Sequence, residues 1–309
     1  MSKADAIILR RVLRARFAPL KRVKIARALV GLALLLLLLS LSGFFVRQAQ
    51  LLDRQFIFLP ERKLEGNPGD AGLVFEDVLF STSDGVTLHG WFVPGGGNIT
   101  FLWLHGNAGN ISHRVDHIKL IHQQLEVSIF IFDYRGYGRS EGKPSEKGTY
   151  LDTEAALEYL RSRPDADPKD KLVLFGQSLG SGVAVETASR HKVDAIILES
   201  PFTSIRAMVR KTFPYLPSGL LVHLVEARYD SFSKIQNIDS PLLVVHGDRD
   251  ELVPIEMGQE LFEAAHEPKL LYTVVGARHN DIYLVGGEDY IEALRRFMRQ
   301  YVLEPGLGG

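Results

Sequence analysis

The chain of 309 residues contains no cysteine. It can hold no disulfide, no thiolate nucleophile and no cysteine-ligated metal site, and cysteine usage leaves its compartment open. An excess of charge of one sign is also missing, since 36 Lys and Arg against 37 Asp and Glu leave a formal charge of −1. That balance averages two unlike parts. Residues 1–27 carry nine basic side chains and one acid, Asp5, so the remainder holds 27 basic and 36 acidic groups, a balance of −9. A nucleic-acid binder concentrates positive charge on its folded body, and this body has the opposite sign, which argues against that class. With 46% hydrophobic and 24% charged residues, the composition excludes disordered and collagen-like chains. Internal repeats, linker-like tracts and long apolar runs are absent too, with one exception.

That exception is Ala28 to Val46, nineteen residues without a charge around the run Leu34 to Leu39. At ~1.5 Å per residue such a helix covers nearly 30 Å, about the hydrocarbon thickness of a bilayer. The pattern predicts a transmembrane anchor over 28–46. A cleaved signal peptide is the alternative, but Arg47 stands where a small residue should precede the cleavage point. The basic segment 1–27 should remain cytoplasmic. The body, residues 47–309, would then lie on the periplasmic or extracytoplasmic side as a single-pass membrane protein.

Within the body, short apolar runs alternate with longer amphipathic stretches, the signature of βα units around a mostly parallel sheet. Strands are expected at Leu73–Phe80, Val86–Val93, Ile99–Leu104, Ser128–Phe132, Lys171–Phe175, Ala195–Leu198, Leu242–Val245 and Leu270–Val275. The first two read as an antiparallel hairpin at the sheet edge. Helices are expected at Ser112–Leu125, Thr149–Arg161, Leu179–Arg190, Ile255–Ala265 and Asp289–Leu303, with Thr149 and Asp152 as a capping box. Residues 202–238 break the alternation and read as a lid or a long crossover.

The most informative motif is Gly176-Gln177-Ser178-Leu179-Gly180, between a buried-type strand and a helix rich in Ala and Val. This is the G-x-S-x-G nucleophile elbow in the context it requires. A serine hydroxyl needs a base oriented by an acid. In the chain order of this motif an acid follows the next strands and a histidine comes last. His279 is the candidate base, because His266, the other histidine beyond the acid loop, falls in a helical pattern. Asp248 and Asp250 share the loop after Leu242–His246, and spacing alone does not separate them. The backbone N–H of Leu179, next to the nucleophile, is an oxyanion donor by position.

These residues resemble the α/β-hydrolase superfamily of serine hydrolases over roughly Leu73 to Leu303. His105-Gly106-Asn107, Asp133-Tyr134-Arg135-Gly136-Tyr137-Gly138-Arg139-Ser140, the elbow at Ser178 and Asp250-x-x-Val253-Pro254 stand where that family has them. The likeness extends to its N-terminally membrane-anchored, small-lid branch related to protein depalmitoylases, through His105 to Asn110 and Asp230-Ser231-Phe232. The resemblance implies an α/β-hydrolase fold with a short lid at 202–238. It also implies Asp250 as the acid and the backbone of Asn107 as the second oxyanion donor. The expected activity is cleavage of carboxylic esters or thioesters through an acyl-enzyme on Ser178, without cofactor or metal. Acyl-chain substrates are expected, delivered near the membrane. A peptidase with the same triad and a non-catalytic, membrane-tethered relative are the alternatives.

Other segments invite rival readings. His113 and His117 sit four apart on a helix but lack the glutamate of a zinc-protease motif. Arg135 and Arg139 could clamp an anionic substrate or be held in charge pairs. Phe202, Phe213, Tyr215, Leu216 and Leu220 to Leu224 could line an acyl pocket, and Phe56 to Pro60 could rest at a lipid interface.

Overall fold

The computed structural model of the protein describes residues 57–165, 167, 169–212 and 226–303, together with Leu36. The chain divides into two units, Met1–Gln50 and Leu51–Gly309. The basic segment and the expected anchor lie outside the described residues except for Leu36, which is helical. Among the described residues no helix is long and apolar enough to cross a membrane.

The body begins with a two-residue strand β1 (Leu59–Pro60), followed by β2 (Glu76–Ser81), β3 (Thr87–Val93), β4 (Ile99–Leu104) and the short β5 (Ala108–Gly109). Helix α1 (Val115–Leu125), β6 (Ser128–Phe132), α2 (Glu146–Ser162), β7 (Lys171–Gln177), α3 (Leu179–Arg190) and β8 (Ala195–Glu199) complete the first half. Then come α4 (Ile205–Thr212), α5 (Ser231–Ile235), β9 (Leu242–Gly247), α6 (Ile255–Ala264), β10 (Lys269–Val274) and α7 (Ile282–Met298). Eight strands form one sheet in the order β10-β9-β8-β7-β4-β6-β3-β2, parallel except where β3 runs against β2 and β6. All eight expected strands are in it.

Strand side chains alternate between faces, and both faces are covered, so central strands read as continuous apolar runs. Leu102, Leu104, Leu174, Ile196 and Val244 enter one core with Val183, Ala184 and Leu261. Phe101, Trp103, Val173, Phe175 and Val245 enter the opposite core with Ile118, Ile121, Ile291 and Phe297. Parallel register then aligns the strand ends: Leu104 lies opposite Gly176, Gly176 opposite Leu198, and Val274 opposite Gly247. The chain crosses from β4 to β6 on one side and from β6 back to β7 on the other. Their carboxyl ends are therefore a topological switch point, where crevices open in such sheets.

Four local expectations are corrected. Helix α2 starts at Glu146 because Ser145 caps it, accepting from the Gly148 N–H at 3.1 Å. Thr149 instead turns back to the Glu146 carbonyl at 2.8 Å, and Asp152 is drawn away to Arg135. Helix α7 starts at Ile282, seven residues early, since its Gly286-Gly287 pair is taken up as a kink with Gly287 at φ 49°. His266 lies past the end of α6 and pairs with exposed Asp239 at 3.2 Å. Of the run at Phe56 to Pro60, Ile57 and Phe58 are buried, the Phe58 ring meeting Tyr229 edge-on at 6.4 Å, and only Leu59 and Pro60 are exposed among its described residues. Phe56 lies outside the described residues.

Candidate active site

Ser178 sits between β7 and α3 in a left-handed conformation, φ 51° and ψ −116°, that a non-glycine residue rarely adopts. Strain of this kind costs about 1–3 kcal/mol and must be held by surrounding bonds. The Ser178 N–H donates to the Glu199 carbonyl at 2.8 Å, and its own carbonyl accepts from the N–H and hydroxyl of Ser181 at 2.9 and 2.6 Å. The flanking glycines are steric necessities. A Cβ on Gly176 would lie 2.6 Å from the Gly180 carbonyl oxygen, and one on Gly180 would collide with the carbonyls of Leu104 and His105.

The turn leaves the Ser178 hydroxyl free of any capping bond, and it meets His279 Nε2 at 2.9 Å. His279 lies in the loop between β10 and α7, and its Nδ1 is 2.7 Å from Asp250 Oδ2. The other Asp250 oxygen accepts from the N–H groups of Leu252 and Val253 at 2.9 and 2.8 Å. Burial opposes ionisation of this carboxyl, but hydrogen bonds from His246 and His279 outweigh it and hold Asp250 well below the ordinary carboxylate range. An ionised Asp250 makes Nδ1 the protonated nitrogen, so Nε2 is left to accept from Ser178. Asp248 points elsewhere, accepting from the Gly276 N–H at 2.6 Å.

The loop after β4 lies against the serine: a Cβ on Gly106 would be 3.5 Å from that of Ser178. The Asn107 carbonyl accepts from the Leu59 N–H at 3.0 Å and from the Tyr137 hydroxyl at 2.7 Å, which fixes the loop's orientation. Burial, with the charges of Arg114 and His113, pulls His105 down to about 3 against a hydrogen bond to the Gly106 carbonyl. His105 is therefore neutral and donates through Nδ1 to that carbonyl at 2.7 Å. Leu179 is the first residue of α3, where an N–H has no acceptor within the helix.

Three further residues around this centre carry no motif of their own. His246 is the last residue but one of β9, and its Nε2 lies 2.9 Å from the Val253 carbonyl and 3.4 Å from Asp250 Oδ2, bracing the acid loop. Glu199 ends β8 opposite Gln177 and accepts from Gln177 Nε2 at 3.2 Å and from the Tyr290 hydroxyl at 3.0 Å. Burial pushes its carboxyl up to about 7. Arg114 begins the α1 turn beside Gly106. A signal existed for the first two in their place at strand ends level with the elbow.

The rival candidates are placed as follows. His117 stacks on Tyr283 at 4.1 Å and bonds the Tyr290 hydroxyl at 3.0 Å. His113 faces the exposed carboxylates of Glu61 and Glu65. Arg135 is held by Asp84 and Asp152, each at 2.8 Å, and Arg139 by Asp77 at 2.8 Å. Phe202 is buried and packs edge-on to Tyr229 at 6.5 Å. Of the expected lid, residues 213–225, with the other acyl-pocket candidates, lie outside the described residues.

A family model described as the α/β-hydrolase fold matches residues 99–221. The uncharacterized protein Rv2307c of Mycobacterium tuberculosis is 36% identical over 90% of this chain and 97% of its own length. The chain belongs to the α/β-hydrolase superfamily. The α/β-hydrolase domain-containing protein WAV2 of Arabidopsis thaliana is likewise 36% identical, over 77% of this chain and 82% of that protein. Among solved structures, the esterase Pf2001 of Pyrococcus furiosus superposes with a TM-score of 0.66 at 25% identity, covering 79% of this chain and 98% of that one.

Proposed function

We propose that the protein is a serine hydrolase of carboxylic esters or thioesters, with Ser178 as nucleophile, His279 as base and Asp250 as acid. The observation that carries the reading is the unbroken hydrogen-bond chain from Ser178 through His279 to Asp250. The Ser178 oxygen attacks the acyl carbonyl carbon while its proton passes to His279 Nε2. Negative charge then develops on the carbonyl oxygen, where the N–H groups of Asn107 and Leu179 receive it. Collapse expels the alkoxide or thiolate, which takes the proton from His279 and leaves the acyl group on Ser178. Water, deprotonated by the same nitrogen, releases the acid. The likeness to an esterase is in keeping with this chemistry.

The substrate on this reading carries an acyl chain longer than acetate, presented at a membrane by an anchor at 28–46 with the body outside the cytoplasm. The uncharged stretch and its basic flank support that placement. Three measurements test the proposal. A fluorophosphonate probe should label the wild type and not Ser178→Ala; equal labelling would refute the nucleophile. Across acetate, butyrate, octanoate and laurate esters kcat/KM should rise past acetate, whereas a profile falling steadily from acetate would mean a small acyl pocket. A reporter fused to the C-terminus should read extracytoplasmic, and a cytosolic signal would overturn the topology.

A further inference from the structure

Among the described residues Arg114 is the one strongly basic side chain placed against the oxyanion loop, and its contacts do not account for it. A Cβ on Gly106 would lie 3.5 Å from the Ser178 Cβ and 3.7 Å from Arg114 Nη2, so guanidinium and nucleophile both adjoin that position. Nη2 donates to the Ala108 carbonyl at 3.2 Å. Its Nε is sealed from solvent without any acceptor. Among the described residues no carboxylate lies within ion-pair distance of it, in contrast to Arg135, Arg139 and Arg163. The acids that balance Arg114 through space are Glu199 and Asp133, and burial raises the pKa of both toward the uncharged form. A half-buried guanidinium with an unsatisfied donor is costly unless something else completes it.

Resting on the serine-hydrolase reading, we propose that Arg114 is a specificity-determining residue. It binds an anionic oxygen group, carboxylate or phosphate, that the substrate carries a few bonds from its scissile carbonyl. A planar, permanently charged fork suits either group. The carboxylate would come from the acyl part, as in a half-ester of a dicarboxylic acid. The phosphate would come from the leaving part, as in an acyl glycerol phosphate.

Two matched pairs of substrates test this with the full chain below their aggregation limits. One is p-nitrophenyl glutarate half-ester against p-nitrophenyl valerate, and the other is lauroyl glycerol phosphate against monolauroylglycerol. The wild type should favour the charged member of at least one pair about ten-fold or more in kcat/KM, and the favoured pair names the source of the anion. In Arg114→Gln that ratio should collapse toward one, and Arg114→Lys should keep part of it. The ratio is internal to each variant and is unaffected by the fraction folded. Hydrolysis of neutral esters by the wild type without preference for either charged partner overturns the Arg114 proposal alone. Equal loss on both members of a pair in Arg114→Gln also overturns it, since Arg114 would then serve the oxyanion or the fold. No hydrolysis and no fluorophosphonate labelling would overturn the underlying reading instead.

Discussion

Replacing Asp250 by asparagine changes a charge at almost constant volume, and the bonding around it sets what must follow. One side-chain oxygen accepts from Leu252 and Val253 at 2.9 and 2.8 Å, and an asparagine oxygen can keep both bonds. The acid loop should therefore stay folded. The amide nitrogen then occupies the place of the oxygen that lies 2.7 Å from His279 Nδ1. An amide donates there, so the ring proton moves to Nε2. That nitrogen, 2.9 Å from the Ser178 oxygen, can no longer accept the nucleophile's proton. Where the same exchange has been made in a serine protease triad it lowers kcat about 10⁴-fold, close to 5.5 kcal/mol of transition-state stabilisation. We expect a loss of roughly a thousand-fold or more here, read as kcat on p-nitrophenyl butyrate at equal folded protein. Among the described residues Asp248 accepts only the Gly276 N–H, so Asp248→Asn should cost less than about ten-fold. If Asp248→Asn proves as damaging as Asp250→Asn, the tautomer argument is wrong.

Other outcomes follow from neighbouring contacts. Gly180→Ala should lower stability by about 3 kcal/mol or more, because backbone carbonyls of Leu104 and His105 occupy the space of its Cβ. Gly182→Ala meets the Tyr229 side chain at 3.0 Å rather than backbone carbonyls and should cost less, so thermal melts of the two compared decide the point. Tyr137→Phe removes the 2.7 Å bond to the Asn107 carbonyl, and should lower kcat about ten-fold while costing roughly 1 kcal/mol of stability; an unchanged kcat would show that the loop orients itself. The Glu199 carboxyl, raised from 4.5 to about 7, contributes stability that is complete below 4.5 and lost as pH rises through about 7. Glu199→Gln should escape that loss, gaining about 3 kcal/mol on the wild type between pH 4.5 and pH 8 in urea denaturation; parallel stability profiles would refute it.

Most of the fold and the identity of the candidate nucleophile were legible in residue order. The reason is that both are local. Alternating or continuous apolar runs mark a strand wherever it pairs, and Ser178 is flagged by glycines two residues away on either side. Helix boundaries were less legible. Ser145 and Thr149 are equally plausible caps in isolation, and the choice turns on Asp152 being held by an arginine from the loop after β6. Similarly, Gly286-Gly287 reads as a helix breaker until the packing of Tyr290 and Ile291 in the core holds the helix through a kink.

What the sequence determined by itself was the order of strands and helices, the elbow, a histidine near the end of the chain and two aspartates to choose between. Only the tertiary structure decided which aspartate meets His279, because that depends on the turn from Asp250 to Val253 orienting one carboxyl toward the neighbouring loop. It also decided that Ile57 and Phe58 enter the core, and that Arg114 and Glu199 flank the candidate centre. None of these four carries a motif. The partners of Phe58 and Glu199 lie tens of residues away in sequence, and the loops of the candidate centre meet because parallel strands in register bring the ends of β4, β7, β8, β9 and β10 to one edge of the sheet.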